Sequence, residues 1–249
     1  MRGSKGLFAI VILFALLALV PPATAATRIR QHVHSDAMSI MGQNQPASDD
    51  TVTIWLTKDR LAISGGGSDA IVRLDLNQLF ILNREKKSYS VIDLPIDLAK
   101  MFPADDPNAA MMTKMLEMMK STTTVTASPE TRQVRGWTAH RYDMETKNNF
   151  MTVKGVLWAT TEAQIDPALY RALQENLMAL NPALRDAISS LRKIEGVVVA
   201  QEQSITVMGQ THAVSTETLE ISEADAPSET FRVPQGYAKE AFDPMANMR

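Results

Sequence analysis

The sequence predicts an α+β domain built on an antiparallel sheet, and three observations carry that prediction. Asp69 to Pro95 (DAIVRLDLNQLFILNREKKSYSVIDLP) reads as three short extended runs, Ala70 to Leu76, Leu79 to Leu82 and Tyr89 to Leu94. The gaps between them, Asn77-Gln78 and Asn83 to Lys87, are of hairpin length. Helical periodicity is confined to two blocks, Ile96 to Lys120 and Asp166 to Ile194, with extended runs before and after each. That arrangement differs from the strand–helix alternation of a parallel sheet. A meander with one apolar face needs a second layer, and the helical blocks are expected to supply it.

Bulk properties narrow the function classes. The chain has 249 residues, 45% hydrophobic and 21% charged, which is a globular composition. Its formal net charge is −3, so no basic excess points to nucleic acid. It has no cysteine, which excludes disulfides, thiolate metal sites, cysteine nucleophiles and a lipidated N-terminal cysteine. Residues 1–25 read as a signal peptide. Arg2 and Lys5 precede the apolar run Leu7 to Val20, and Ala23-Thr24-Ala25 gives the small-x-small pattern before a cut near Ala25 or Ala26. Removing them takes away two cations and no acid, so the formal charge goes from −3 to −5. The expected location is periplasmic or secreted, with no transmembrane anchor after cleavage. Residues 26–233 are expected to form one domain, and 234–249 a weakly ordered tail.

The elements follow in order. Thr27 to Ile40 is a first strand that places His32, His34, Asp36, Met38 and Ile40 on one face. Gly42 to Asp50 is a polar loop. Thr51 to Thr57 alternates, with Trp55 opposite Val52, Ile54 and Leu56. Lys58-Asp59 turns the chain into Arg60 to Ser64, and Gly65-Gly66-Gly67 ends that strand. The triplet lacks the Lys-Ser/Thr of a phosphate loop. After the meander, Pro107 stands at a helix N1 position behind Asp105-Asp106, and the helix runs to about Lys120. Met111, Met115 and Met118 form one stripe, with Met112, Leu116 and Met119 beside it. Ser121 to Thr126, Thr138 to Glu145 and Phe150 to Ala159 return to strands. Asp166-Pro167 opens a helical block that Gly196 closes. Val197 to Met208 and His212 to Ser222 form a hairpin over Gly209-Gln210.

Three stretches carry a family likeness. LFILNREKKSYSVIDLP, RGWTAHRYDM and VLWAT resemble the corresponding strands of a family of exported bacterial domains of unknown function. That family is in turn similar to the lipoprotein carriers LolA and LolB. The likeness spans Thr51 to Thr160, and Ala139 stands where family members often carry cysteine. It implies a strongly curved half-barrel sheet, LolA-like, with helices covering the concave face and acyl chains held between the two.

The expected function is therefore non-enzymatic binding of a hydrophobic ligand, a lipid or acyl chain, with an envelope protein partner as a further expectation. The candidate ligand-binding residues are Met111, Met112, Met115, Met118 and Met119, whose unbranched thioethers reshape around irregular apolar groups, together with Trp55 and Trp158. An alternative is a structural or interaction module with a filled core. A continuous apolar cavity above ~300 Å³ separates the two readings. A minor alternative is copper binding through His32, His34, Met38 and Met41. No cofactor and no catalytic residue is expected. The chain has no Gly-x-Ser-x-Gly, no His-Glu-x-x-His and no Ser-x-x-Lys set.

Overall fold

A computed structural model describes residues 24–40, 43–66, 69–96, 121–171, 188–207 and 209–242. Fourteen strands are described: β1 Thr24–Ser35, β2 Met38–Ile40, β3 Gln43–Gln45, β4 Ser48–Leu56, β5 Arg60–Ser64, β6 Asp69–Arg73, β7 Gln78–Asn83, β8 Ser88–Asp93, β9 Thr122–Val134, β10 Trp137–Lys147, β11 Met151–Thr160, β12 Val197–Val207, β13 Gln210–Ala226 and β14 Ala238–Lys239. β2 and β3 pair with each other. The rest form one twelve-stranded sheet in the order β14-β8-β7-β6-β5-β4-β1-β13-β12-β11-β10-β9.

This order joins two meanders. β4 to β8 and β9 to β13 each pair in sequence order, and β1 lies between β4 and β13. β1 is thus the seam of the sheet. Bulges interrupt its ladder with β13 at Arg30/Gln31, that of β9 with β10 at His140/Tyr142, and that of β11 with β12 at Trp158/Ala159. Each bulge adds local twist and bend, and the sheet is curved and open.

Register sorts the side chains into two faces. On the apolar face Leu56, Leu61, Val72, Leu79 and Ile92 stand directly opposite one another across β4 to β8. All five are buried, in one cluster with Ile29, Ile165 and Val197. Each such side chain contributes about 1.5–3 kcal/mol on leaving water, so this row is the main stabilising feature of the first meander. On the second meander the same face carries a separate cluster, in which Tyr142 and Leu157 are buried with Val125 and Ala159. On the opposite face Ala62, Ile71 and Leu82 are buried beneath Phe231, with Trp55, Phe80, Tyr89 and Tyr237 around them.

The C-terminal run holds the β8 edge. Ala238 N–H donates to the Lys87 carbonyl at 2.9 Å, and Glu240 N–H to that of Tyr89 at 2.8 Å. Phe242 then reaches the apolar-face cluster. An edge strand left bare is a template for unwanted pairing, and β14 covers part of this one.

The α+β expectation, with a half-barrel whose concave face is covered by helices, is corrected here. The described chain is 64% strand and 5% helix. Its helices are a turn at 167–171 and the four residues Ile188–Leu191. The strands run longer than their sequence signals. β9 carries its ladder past Pro129 by bulging, where a turn was expected, and β13 extends to Ala226. A Thr- and Val-rich chain with bulges to absorb irregularity builds sheet where sequence punctuation suggests an end. The methionine helix expected over 107–120 lies outside the described residues, as does most of the second block.

Candidate functional site

The site is built where β9 to β13 and β1 present their apolar face beneath residues 165–171 and 188–195. Alternation puts Thr123, Met144, Thr146, Met151, Val153 and Leu157 on that face. Registry places Tyr142 beside Leu157, Leu157 beside Gln201, Gln201 beside Thr216 and Thr216 beside Val33. A residue line thus crosses five strands from aromatic through aliphatic to carboxamide and hydroxyl.

These two stretches above the sheet are pinned at three points. Ser190 Oγ donates to the Thr123 carbonyl at 2.6 Å. Glu195 N–H donates to Tyr142 Oη at 3.2 Å, and Val198 N–H to Tyr170 Oη at 3.3 Å. Leu191 and Ile194 pack on the Val125, Tyr142 and Leu157 cluster. Gly196 lets the chain drop from the second stretch into β12. Its φ is +85°, and a Cβ there would collide with the backbone carbonyl of Thr160.

Between these stretches and the sheet lies a cavity of about 390 Å³. Met144, Met151, Val153, Leu157, Leu191, Ile194 and Val198 make its apolar wall. Gln31, Gln201, Gln203 and Thr216 make a polar patch on β1, β12 and β13, and Thr123 and Thr146 share a 2.8 Å hydroxyl–hydroxyl bond. No acidic, basic or histidine side chain lines it among the described residues. Gly155 lies between two of the lining residues, Met144 and Gln203. A Cβ there would meet Gln203 Cγ at 3.3 Å and Met144 Cε at 3.4 Å, so the missing side chain is what lets both lean inward.

The opposite face of the same strands carries an open trough of about 820 Å³ with a different chemistry. His34, Asp143, Glu145, Lys154 and Glu202 line it with the hydroxyls of Thr124, Thr126, Ser204 and Ser215. At its edge His34 is held between two carboxylates, Nδ1 to Asp49 at 2.9 Å and Nε2 to Asp36 at 3.1 Å. The hydrogen bond to Asp49, then that to Asp36, raise the His34 pKa above its ordinary value, and the same bond lowers that of Asp49. In the protonated ring both nitrogens donate to these carboxylates.

The structure distributes the sequence-derived candidates unevenly. Met111, Met112, Met115, Met118 and Met119 lie outside the described residues, as does Met41. Trp55 sits on the face opposite the cavity, with the Arg28 guanidinium 5.9 Å from its ring centroid. Trp158 is buried on that same face beneath Arg132, 4.3 Å away. Of the residues in the copper reading, His34 is hydrogen-bonded through both ring nitrogens, to Asp49 and Asp36. Among the described residues no group of three His, Cys, Asp or Glu side chains could hold a metal ion. Among the described residues Ser35 Oγ meets His212 Nε2 at 3.1 Å. His212 Nδ1 is buried with no partner, so the contact lacks the acid that orients a general base.

Sequence reasoning missed Gln31, Gln201, Gln203, Thr216, Thr123 and Thr146. A signal for two of them was present: in Gln201-Glu202-Gln203 the period of two separates carboxamides from a carboxylate.

Comparison with known proteins adds little. No family model matches the chain, and no curated protein matches it. A solved domain from Vibrio parahaemolyticus, assigned to outer membrane lipoprotein sorting, is similar over 82% of this chain and 87% of its own. The identity is 7% and the TM-score 0.30, a superposition too loose to transfer fold detail or function.

Proposed function

We propose that this chain is a non-enzymatic, exported protein that binds a hydrophobic ligand, a lipid or acyl chain, in the cavity on the apolar face. The carrying observation is the cavity of about 390 Å³ with an aliphatic and thioether wall. That volume falls within the range of small-molecule sites, which are mostly apolar with few polar groups. Methionine at two wall positions suits a ligand of irregular or variable shape. A module with a filled core would leave no such space, so the cavity favours the binding reading over the interaction-module reading.

Titration with a fluorescent acyl-chain probe tests this. The wild-type protein is expected to bind saturably at one site. Gly155→Val is expected to weaken binding about tenfold or more by pushing the Met144 and Gln203 side chains that line the cavity, since about 1.4 kcal/mol of lost contact is tenfold. The atoms nearest a Cβ at 155 are the flexible side chains of Gln203 and Met144, so the far-ultraviolet circular dichroism of the variant is expected to match wild type. Absence of saturable uptake by wild type refutes the proposal.

A further inference from the structure

The cavity's polar patch is more selective than an acyl chain requires. Gln201 and Gln203 are two residues apart on β12 and so share its cavity face, and Gln31 reaches the same space from β1. Gln201 Nε2 donates to Thr216 Oγ1 at 3.3 Å, and Gln31 Nε2 to Thr218 Oγ1 at 3.2 Å. Those bonds use one donor from each carboxamide. The side-chain carbonyls of both, and the whole amide of Gln203, bond to no protein group among the described residues. All three side chains are half-buried, in a space walled by Leu157, Leu191 and Ile194. Half-buried carboxamides with open donors and acceptors beside an apolar wall are arranged to meet a partner that offers both.

We infer that the ligand carries an uncharged, hydrogen-bonding head group of the hydroxyl or amide class, held by Gln31, Gln201 and Gln203. This rests on the hydrocarbon-binding reading above and names the head that reading leaves open. A carboxylate or phosphate would enter without a cation to pair with, and an ammonium without an acid, since no charged side chain lines the cavity among the described residues. Burying an unpaired charge costs far more than burying a hydroxyl that gains a bond. A carboxamide, donor and acceptor at once, matches a hydroxyl or amide in either role. The patch therefore discriminates by charge and orients the chain toward Met144 and Met151.

Competition against the bound acyl probe tests the assignment on the whole purified protein. Monolauroylglycerol, laurate at pH 8 and lauroyl lysophosphatidylglycerol share a chain and differ in head. The glyceride is expected to displace the probe at a concentration at least tenfold below either anion. Gln203→Leu, similar in size, is expected to weaken the glyceride about tenfold, the value of one or two net hydrogen bonds, and to leave laurate unchanged. Gln201→Met repeats the test at the neighbouring position should the first variant fold poorly. Laurate ranking level with the glyceride, or a preference that survives both substitutions, overturns the inference alone. A wild-type protein that takes up no probe overturns the binding reading and this inference with it.

Discussion

Thr123 and Thr146 offer a test of the cavity wall that does not depend on any ligand. They stand opposite each other on β9 and β10, 8% and 7% exposed, and their hydroxyls bond at 2.8 Å. Thr146→Val preserves the shape and the β-branched character of the side chain and removes one hydroxyl. The Thr123 hydroxyl is then buried without its partner. Stranding a buried polar group costs about 1–3 kcal/mol, whereas removing both partners of a bond at constant shape is nearly neutral. The single variant should thus lose about 1–3 kcal/mol, and the Thr123→Val/Thr146→Val double variant should recover most of it. With a urea m-value of roughly 3 kcal/mol/M for a chain of this size, the single change lowers the midpoint by about 0.3–1 M. A double-mutant cycle by urea unfolding, followed by circular dichroism, reads a coupling of about 1–2 kcal/mol. Additive losses in the double variant would refute the reasoning, because they would mean that each hydroxyl is separately solvated and the wall is not dry.

Two further perturbations probe the frame around the site. Gly196→Ala forces an L residue to φ +85° and drives a Cβ into the Thr160 carbonyl, where backbone on both sides leaves nothing to yield. The left-handed conformation costs about 1–2 kcal/mol and the overpacking about 1–3, so urea unfolding should register a loss of about 2–5 kcal/mol. A loss below ~1 kcal/mol would show that residues 188–195 do not enter β12 through this strained turn. The His34 clasp sets a pH window. The raised His34 pKa stabilises the fold below its ordinary value of 6.5, and that contribution is lost as pH rises through the higher folded value. The lowered Asp49 pKa contributes above its ordinary value of 3.8 and is lost as pH falls through the lower folded one. The clasp is therefore complete between about pH 4 and 6.5. An NMR titration should place the His34 midpoint above 6.5, and Asp49→Asn should bring it down. A midpoint that ignores Asp49→Asn contradicts the clasp.

Much of the strand content was legible because alternation is a local property. Arg60 to Ser64 appears as β5 with the bounds read from the residues, and the meander from Asp69 to Pro95 appears as β6, β7 and β8. The turn after Asn83 also follows local chemistry, since the Asn83 side chain accepts from Lys86 N–H at 2.9 Å. Helix and strand balance was less legible. Pro129 looks like a turn in sequence, but the ladder between β9 and β10 resumes beyond it. A bulge allows that resumption, and nothing local to Ser128-Pro129-Glu130 announces whether the partner strand waits on the other side.

The residues alone determined that the chain builds antiparallel strands with an apolar face and that it carries no thiol chemistry. Each of these depends on neighbours along the chain or on composition. Tertiary structure decided the rest. β1 pairs with β13 about 190 residues away, Arg28 with Glu220 being one such contact, and only that pairing brings Gln31 to the cavity that Gln201 and Gln203 line. Tertiary structure also set Trp55 and Trp158 on the far face and gave both His34 nitrogens to carboxylates. A period of two tells which residues share a face within one strand, but which strands adjoin is set by long-range burial, and the polar patch exists only across that seam.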